Sequence, residues 1–196
     1  MWHDLTRVVD GGLAPYAEGD YTDPPLVIAD WTDIPRSGFA VQRLVMGTQT
    51  GTHTDAPAHM HPGGATLEAL PAAAFVGPFA YLSAAMLAAG QAPRGAGAIL
   101  YLDALGGPAV SPAAVDALIG PRWPVWVMAG GLRLSGGDHL HLHRALARAG
   151  VWLVEDLDPA AARIVTGPGD IIALPLRLSG TTGAPTRVLV RRDVTR

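Results

Sequence analysis

The sequence contains no cysteine and few charged residues, and both shortages restrict what the protein can do. Without cysteine the chain forms no disulfide, provides no thiolate metal ligand and has no cysteine nucleophile. Charged residues make up 16% of the chain and the formal net charge is -3, so the composition does not favour binding to nucleic acid or to an anionic membrane. We therefore expect neither partner.

Several diagnostic patterns are missing as well. No apolar run reaches about 18 residues without glycine, proline or a charge, so we expect no membrane-spanning helix. The first residues lack the basic and apolar pattern of a signal peptide, and this suits a cytoplasmic protein. No Gly-x-Ser-x-Gly elbow and no Walker or Rossmann glycine pattern is present, which leaves serine hydrolases and nucleotide-binding enzymes without support.

Glycine and proline, in contrast, are abundant, with 24 and 17 copies. They predict a loop-rich chain with many short elements. With 196 residues, of which 49% are hydrophobic, the chain is long enough for one sizeable core, and we expect a single domain over residues 1–196. Many predicted strands and few helices favour an α/β or an α+β fold.

The clearest predicted elements lie in the second half of the chain. Ser111 and Pro112 are typical of a helix start, and a longer helix is predicted over residues 138–149. Strands over residues 170–178 and 185–191 predict a hairpin. Further strands are predicted over residues 4–9, 26–30, 39–46, 75–82, 98–103, 124–129 and 151–154, of which 75–82 contains Gly77-Pro78 and should be bulged or at a sheet edge.

Residues 49–61 are the most informative stretch of the sequence. They hold three of the seven histidines and one carboxylate, and Pro57 prevents them from forming one regular helix. Imidazole and carboxylate groups are good ligands for zinc-like or manganese-like ions. A rigid loop could aim His53, Asp55 and His59 at one point, so the spacing indicates a metal or catalytic site.

This stretch resembles the motif His-x-Gly-Thr-His-x-Asp-x-Pro-x-His of the cyclase family. The family comprises metal-dependent hydrolases of the kynurenine formamidase, isatin hydrolase and trans-dienelactone hydrolase type. Its first position is occupied here by Gln49 instead of histidine. The matching residues are Gly51, Thr52, His53, Asp55, Pro57 and His59.

The resemblance implies a fold, a chemistry and a set of roles. It implies a swivelling β/β/α domain of the α/β class, with a mixed sheet and short helices, and a homodimer or higher homo-oligomer. It also implies one or two Zn²⁺ or Mn²⁺ ions that activate water against the carbonyl of a small amide, formamide, lactam or lactone. His53 and Asp55 would be ligands, and His59 would be the general base and acid.

A second cluster lies near residue 140. On a helix, His139 and His143 share one face and His141 points elsewhere. Glu155 follows His143 by twelve residues, at the end of a predicted strand. In kynurenine formamidase a histidine and a glutamate at this spacing complete a second metal site, so the resemblance implies that His143 and Glu155 are ligands.

Gln49 stands at a ligand position of the family motif, and three interpretations are open. Its amide oxygen could bind the metal weakly, or its side chain could hydrogen-bond to a bound water. Alternatively, the first metal site is lost and one ion remains on Asp55, His143 and Glu155, with help from His53.

Two functions from different classes are compatible with the sequence. The first is a metal-dependent hydrolase. The second is a catalytically inactive small-molecule or metal-binding protein on the same scaffold. The resemblance also implies that the N-terminal loop can line the substrate pocket, so Tyr16, Tyr21 and Trp31 are candidates for the pocket lining.

Overall fold

A computed structural model describes residues 1–192. The strands are β1 (His3–Asp4), β2 (Ala17–Glu18), β3 (Tyr21–Thr22), β4 (Val27–Thr32), β5 (Val41–Val45), β6 (His53–Asp55), β7 (Val76–Ser83), β8 (Ile99–Asp103), β9 (Val125–Ala129), β10 (Trp152–Glu155), β11 (Gly169–Pro175) and β12 (Gly183–Arg192). The helices are α1 (Ile34–Ser37), α2 (Ala84–Ala88), α3 (Pro112–Leu118), α4 (His141–Arg148) and α5 (Pro159–Ala162), and single 3₁₀ turns cover Pro57–His59, Leu67–Ala69 and Ala72–Phe75.

The main sheet is mixed and closes on itself. Its strand order is β1-β12-β11-β7-β8-β9-β10-β6, and β6 also pairs with β12, so seven strands form a closed ring with β1 attached at its outside. Strands β7 to β10 run parallel, and the remaining pairs are antiparallel. The predicted α/β class with a mixed sheet and short helices is confirmed.

The parallel strands supply the centre of the core. All residues of β9 are buried, and Ile99 to Leu102 of β8 are buried as well. Parallel strands that are covered on both faces need continuous apolar runs, and these two segments have them. Trp126 is fully buried, and the Tyr101 ring lies 5.4 Å from the Phe79 ring. Helices α2 and α4 pack against β7 and β10.

Both predicted helices form. The start of α3 was predicted correctly, and the start of α4 was not. Ser111 caps α3 by accepting a hydrogen bond from the Ala114 N–H at 3.2 Å. Helix α4 begins at His141, three residues later than predicted. The Asp138 carboxylate accepts a hydrogen bond from the Leu140 N–H at 3.0 Å, which closes a turn before the helix instead of capping it.

Two strand predictions need correction. The first strand covers only His3–Asp4, because the backbone N–H of Arg7 leaves the sheet and donates to the Thr52 hydroxyl at 2.9 Å. Strand β7 lies inside the sheet, between β11 and β8, and not at an edge. Pro78 is tolerated because it pairs only with Asp170 of β11, and pairing with β8 begins one residue later.

Two small hairpins lie outside the closed sheet. Strands β2 and β3 form one, and β4 and β5 form the other. Most residues of both hairpins are exposed, and those of β4 and β5 include large apolar side chains such as Ile28, Trp31 and Leu44. Within residues 1–192, helices of the length and apolarity that a membrane crossing requires do not occur.

Candidate metal centre

Strand β6 organises the site, and the prediction of a loop here was wrong. His53, Thr54 and Asp55 are buried and pair with both β10 and β12. Side chains alternate along a strand, so His53 and Asp55 share one face. Thr54 points to the opposite face and lies 2.7 Å from the hydroxyl of Thr186. Gly51, with a φ of 67°, provides the turn that leads into this strand.

The register of β6 against β10 adds the third candidate ligand. Glu155 lies directly opposite His53 in the antiparallel pair. His53 Nε2 is 3.5 Å from Asp55 Oδ1 and 3.6 Å from Glu155 Oε1. One ligand atom from each residue lies within 4.8 Å of the other two. Glu155 is about a hundred positions away from His53 and Asp55 in the sequence, and the sheet brings the three residues together.

Helix α4 brings His143 to the same carboxylate. His143 Nε2 lies 3.0 and 3.1 Å from the two carboxylate oxygens of Glu155. His53 Nδ1 lies 2.8 Å from the carbonyl oxygen of Gly51. When Nδ1–H donates to this carbonyl, the lone pair of His53 Nε2 faces the two carboxylates and is free to bind a metal.

The burial and charge of the cluster fit a divalent cation. Asp55 is only 7% exposed, and its buried Oδ1 has no hydrogen-bond partner among the described residues. A buried carboxylate oxygen without a partner is costly, and a coordinated cation would satisfy it. The nitrogen and oxygen donors suit Zn²⁺ or Mn²⁺.

The pKa shifts of Glu155 and His53 also favour a cation at the cluster. Burial raises the pKa of Glu155, but hydrogen bonds to His143 and His53 outweigh it and hold the pKa well below its usual range. Burial lowers the pKa of His53, yet Asp55 and Glu155 outweigh it and leave the pKa raised. Glu155 therefore stays ionised and attracts positive charge into the site.

His59 stands beside the ligand cluster on the 3₁₀ turn Pro57–His59. Its Nε2 is 4.0 Å from Asp55 Oδ1, and its side chain is 30% exposed. Its Nδ1 is 3.4 Å from Gln49 Nε2. His59 is thus more accessible than His53, whose side chain is 6% exposed.

The side chain of Gln49 is held by several neighbours. Its Oε1 accepts a hydrogen bond from the Thr48 hydroxyl at 2.5 Å, and its Nε2 donates to the Thr182 hydroxyl at 3.3 Å. Gly183 lies so close that a Cβ there would be 2.5 Å from Gln49 Nε2. These contacts place the amide next to His59, as described above.

A cavity of about 540 Å³ opens above the cluster. Its inner end is lined by the candidate ligands, Gln49 and His59. Tyr16 and Tyr21 line its mouth, as hypothesised, whereas Trp31 lies on the exposed β4 outside this cavity. His139 also lines the mouth, and His141 pairs with Asp116 instead, at 2.8 Å.

Sequence reasoning missed three carboxylates of the cavity, Glu18, Asp23 and Asp156. Asp156 has a φ of 57°, a left-handed conformation that aspartate tolerates better than most residues. Its only sequence signal is its position next to Glu155. Glu18 and Asp23 each follow a tyrosine by two residues, and this pattern could have drawn attention to them.

Comparison with known proteins fits this site. A sequence model of the family described as "Putative cyclase" matches residues 3–105. The chain belongs to the cyclase family. A kynurenine formamidase from Salinibacter ruber is 32% identical over 171 residues, covering 76% of this chain and 78% of that protein. A kynurenine formamidase from Bacillus mycoides is 25% identical over 208 residues, covering 97% of each.

Solved structures of cyclase-family type share the fold. Isatin hydrolase A from Labrenzia aggregata, bound to benzyl benzoate, superposes with a TM-score of 0.76 at 22% identity, over 97% of this chain and 93% of that one. A structure described as a potential metal-dependent hydrolase with cyclase activity gives 0.72 at 24% identity, over 97% and 96%. The sequence comparisons thus confirm the predicted family, and the shared fold extends along nearly the whole chain.

Proposed function

We propose that this protein is a metal-dependent hydrolase that cleaves an amide, formamide, lactam or lactone of a small molecule. The observation that carries the proposal is the convergence of His53, Asp55 and Glu155 within 4.8 Å at the inner end of a cavity. Relatives named kynurenine formamidase and neighbours named isatin hydrolase favour a C–N bond as the target.

The proposed ligands are His53, Asp55, His143 and Glu155, and Gln49 is a further candidate through its amide oxygen. When bound, Zn²⁺ or Mn²⁺ would lower the pKa of a water molecule and polarise the carbonyl of the substrate. The hydrogen bond between His53 Nδ1 and the Gly51 carbonyl keeps the imidazole oriented for this task.

His59 is the proposed general base and acid. It takes a proton from the attacking water and returns it to the leaving nitrogen or oxygen. Its partial exposure to the cavity suits this role, because a proton-transferring group must reach the substrate. Gln49 Nε2, close to His59 Nδ1, restrains the rotation of the imidazole ring.

The first test is the metal content of the purified protein by elemental analysis. We expect one or two equivalents of zinc or manganese per chain. Asp55→Ala should lose most of this metal, because Asp55 Oδ1 lies 3.5 Å from His53 Nε2 and 4.0 Å from His59 Nε2. Asp116→Asn, which changes a carboxylate paired with His141, is the matched control and should retain the metal.

The count of ions also tests whether the first metal site is lost, which is the third interpretation of Gln49. Two equivalents would mean that Gln49 still supports a second ion, and one equivalent would mean that this ion is lost. If wild-type protein binds no metal after incubation with Zn²⁺ and Mn²⁺, the hydrolase proposal fails, and an inactive binding protein takes its place. Turnover of a panel of formamides, lactams and lactones then identifies the bond that is cleaved.

We also propose a homodimer formed through the hairpin of β4 and β5. Ile28 and Leu44 lie directly opposite each other in this hairpin and are 49% and 55% exposed. A two-stranded hairpin with an exposed apolar surface is only marginally stable alone, and such surfaces mark interfaces.

Leu44→Lys is expected to convert the dimer into a monomer at micromolar concentration, since it places a charge in the apolar contact. Light scattering coupled to size-exclusion chromatography measures the mass. Val8→Lys, at an apolar residue that is 73% exposed outside the hairpin, should leave the mass unchanged. A wild-type protein with the mass of one chain would contradict the proposed dimer.

A single domain of the swivelling β/β/α type remains our proposal for residues 1–196, the last four of which lie outside the described residues. Two observations support it. Strand β1 near the N-terminus pairs with β12 near the C-terminus. The buried core also extends as one cluster from Leu5 to Val190.

A further inference from the structure

The cavity carries more negative charge than its metal would balance. Five carboxylates line it, and a divalent cation would offset two of them, Asp55 and Glu155. Asp156 lies beside the only nearby guanidinium of the described chain, with Arg7 Nη2 3.8 Å from its Oδ1. The sequence contains no lysine, and no arginine lines the cavity among residues 1–192. Glu18 and Asp23 therefore remain without a neighbouring cation of fixed charge.

These two carboxylates belong to the exposed part of the cavity, whereas the proposed reaction takes place at its buried part. The ligand end is deep, with His53 5% and Asp55 7% exposed. The mouth is open, because the side chains of Glu18 and His139 are 49% and 61% exposed. A substrate whose carbonyl reaches the inner end, and which is long enough to extend to the exposed part, brings its far end close to these residues.

The hairpin of β2 and β3 holds the two carboxylates in matching positions. The Tyr16 hydroxyl donates to Glu18 Oε2 at 2.5 Å, and the Tyr21 hydroxyl donates to Asp23 Oδ1 at 2.7 Å. Residues 17–18 pair with residues 21–22, so both pairs belong to one small sheet. The hydrogen bond from the Tyr16 hydroxyl holds the pKa of Glu18 below its usual range.

The same hairpin provides the flat surfaces of the mouth. Tyr16 and Tyr21 are 52% and 58% exposed and line the cavity. Tyrosine rings pack well against aromatic rings, and carboxylates beside them attract cations. His139 Nε2 lies 2.9 Å from Glu18 Oε1, so this imidazole belongs to the same end of the cavity.

We propose that Glu18 and Asp23 select an aromatic substrate whose far end is neutral or cationic, such as an ammonium group, and discriminate against a carboxylate there. This inference rests on the proposed hydrolase function and names the class of substrate. Glu18 is a specificity-determining residue that acts on the remote end of the substrate and takes no part in bond cleavage.

The test compares three para-substituted formanilides with the metal-loaded protein at pH 8 and low ionic strength. The substituents are hydrogen, aminomethyl and carboxylate. We expect kcat/KM for the aminomethyl compound to exceed that for the carboxylate by about tenfold or more, equivalent to about 1.4 kcal/mol. Glu18→Gln should reduce this ratio at least about threefold, Glu18→Arg should invert it, and added salt should shrink it.

Asp20→Asn is the matched control, because Asp20 is an exposed carboxylate in the turn of the same hairpin and does not line the cavity. It should leave the ratio unchanged. Binding of the corresponding acetanilides by calorimetry gives a second readout that does not need turnover. The inference would be overturned if the three formanilides had equal kcat/KM and the three acetanilides bound equally well. A charge preference that Glu18→Gln does not alter would also overturn it.

The two proposals fail in different ways. Turnover of all three formanilides without a charge preference would leave the hydrolase function intact and remove the role of Glu18. Binding with the expected charge order, but without turnover of any amide or lactone, would support the role of Glu18 and contradict the hydrolase function.

Discussion

Replacing Glu155 with glutamine is expected to remove most of the bound metal and to lower kcat/KM by about 1,000-fold or more, equivalent to about 4 kcal/mol. Glu155 lies close to both His53 and His143, at 3.6 and 3.0 Å. Glutamine has nearly the same size, so the packing is preserved. A neutral amide cannot balance a cation, and the donors from β6 and α4 lose their common partner.

The measurement combines metal content, kcat/KM and the thermal unfolding midpoint. Glu68→Gln is the matched control, because it makes the same substitution at an exposed site where Glu68 accepts a hydrogen bond from the Gly180 N–H at 3.0 Å. It should keep its metal and its activity. A Glu155→Gln variant with full metal content and wild-type turnover would show that the site does not depend on this carboxylate.

The proposed ligands on β6 could be predicted from the sequence because they are neighbours in the chain. His53 and Asp55 are two residues apart, and this spacing puts them on one face of any extended segment. Glu155 is different. Its place opposite His53 depends on the pairing of β10 with β6, and that register is a long-range property of the sheet. The twelve-residue spacing between His143 and Glu155 indicated a ligand role for Glu155 only through the family resemblance.

Strand β6 of the closed sheet also could not be predicted from local sequence. Strand β6 has three residues between a glycine turn and a proline, so its sequence shows too little periodicity to predict a strand. It becomes a strand because β10 and β12 offer hydrogen-bonding edges on both sides. The longer β11 and β12 hairpin was predicted correctly, since its alternating residues and connecting turn are local signals.

The mouth of the cavity was only partly predictable. Tyr16 and Tyr21 were candidates because the family resemblance implies that the N-terminal loop can line the pocket. Their hydroxyl contacts with Glu18 and Asp23 could not be inferred, because β2 and β3 have two residues each and form only as a pair. Such short elements depend on neighbouring structure more than on their own propensity.

Replacing His59 with alanine is expected to lower kcat by about 100- to 10,000-fold while the metal stays bound. The reason is the position of His59 beside the cluster and not within it. Its Nε2 is 4.0 Å from Asp55 Oδ1, whereas His53 Nε2 is 3.5 Å from the same atom and is also close to Glu155. Loss of His59 removes proton transfer and leaves the proposed ligands in place.

Activity and metal content must be measured on the same sample, because together they separate a proton-transferring residue from a ligand. His61→Ala, two residues further along, is the matched control and should behave as wild type, since His61 does not line the cavity. Added imidazole should restore part of the turnover of His59→Ala if the missing group is a base. Loss of metal in His59→Ala would instead make His59 a ligand, and unchanged turnover would leave the general base to be sought elsewhere in the cavity.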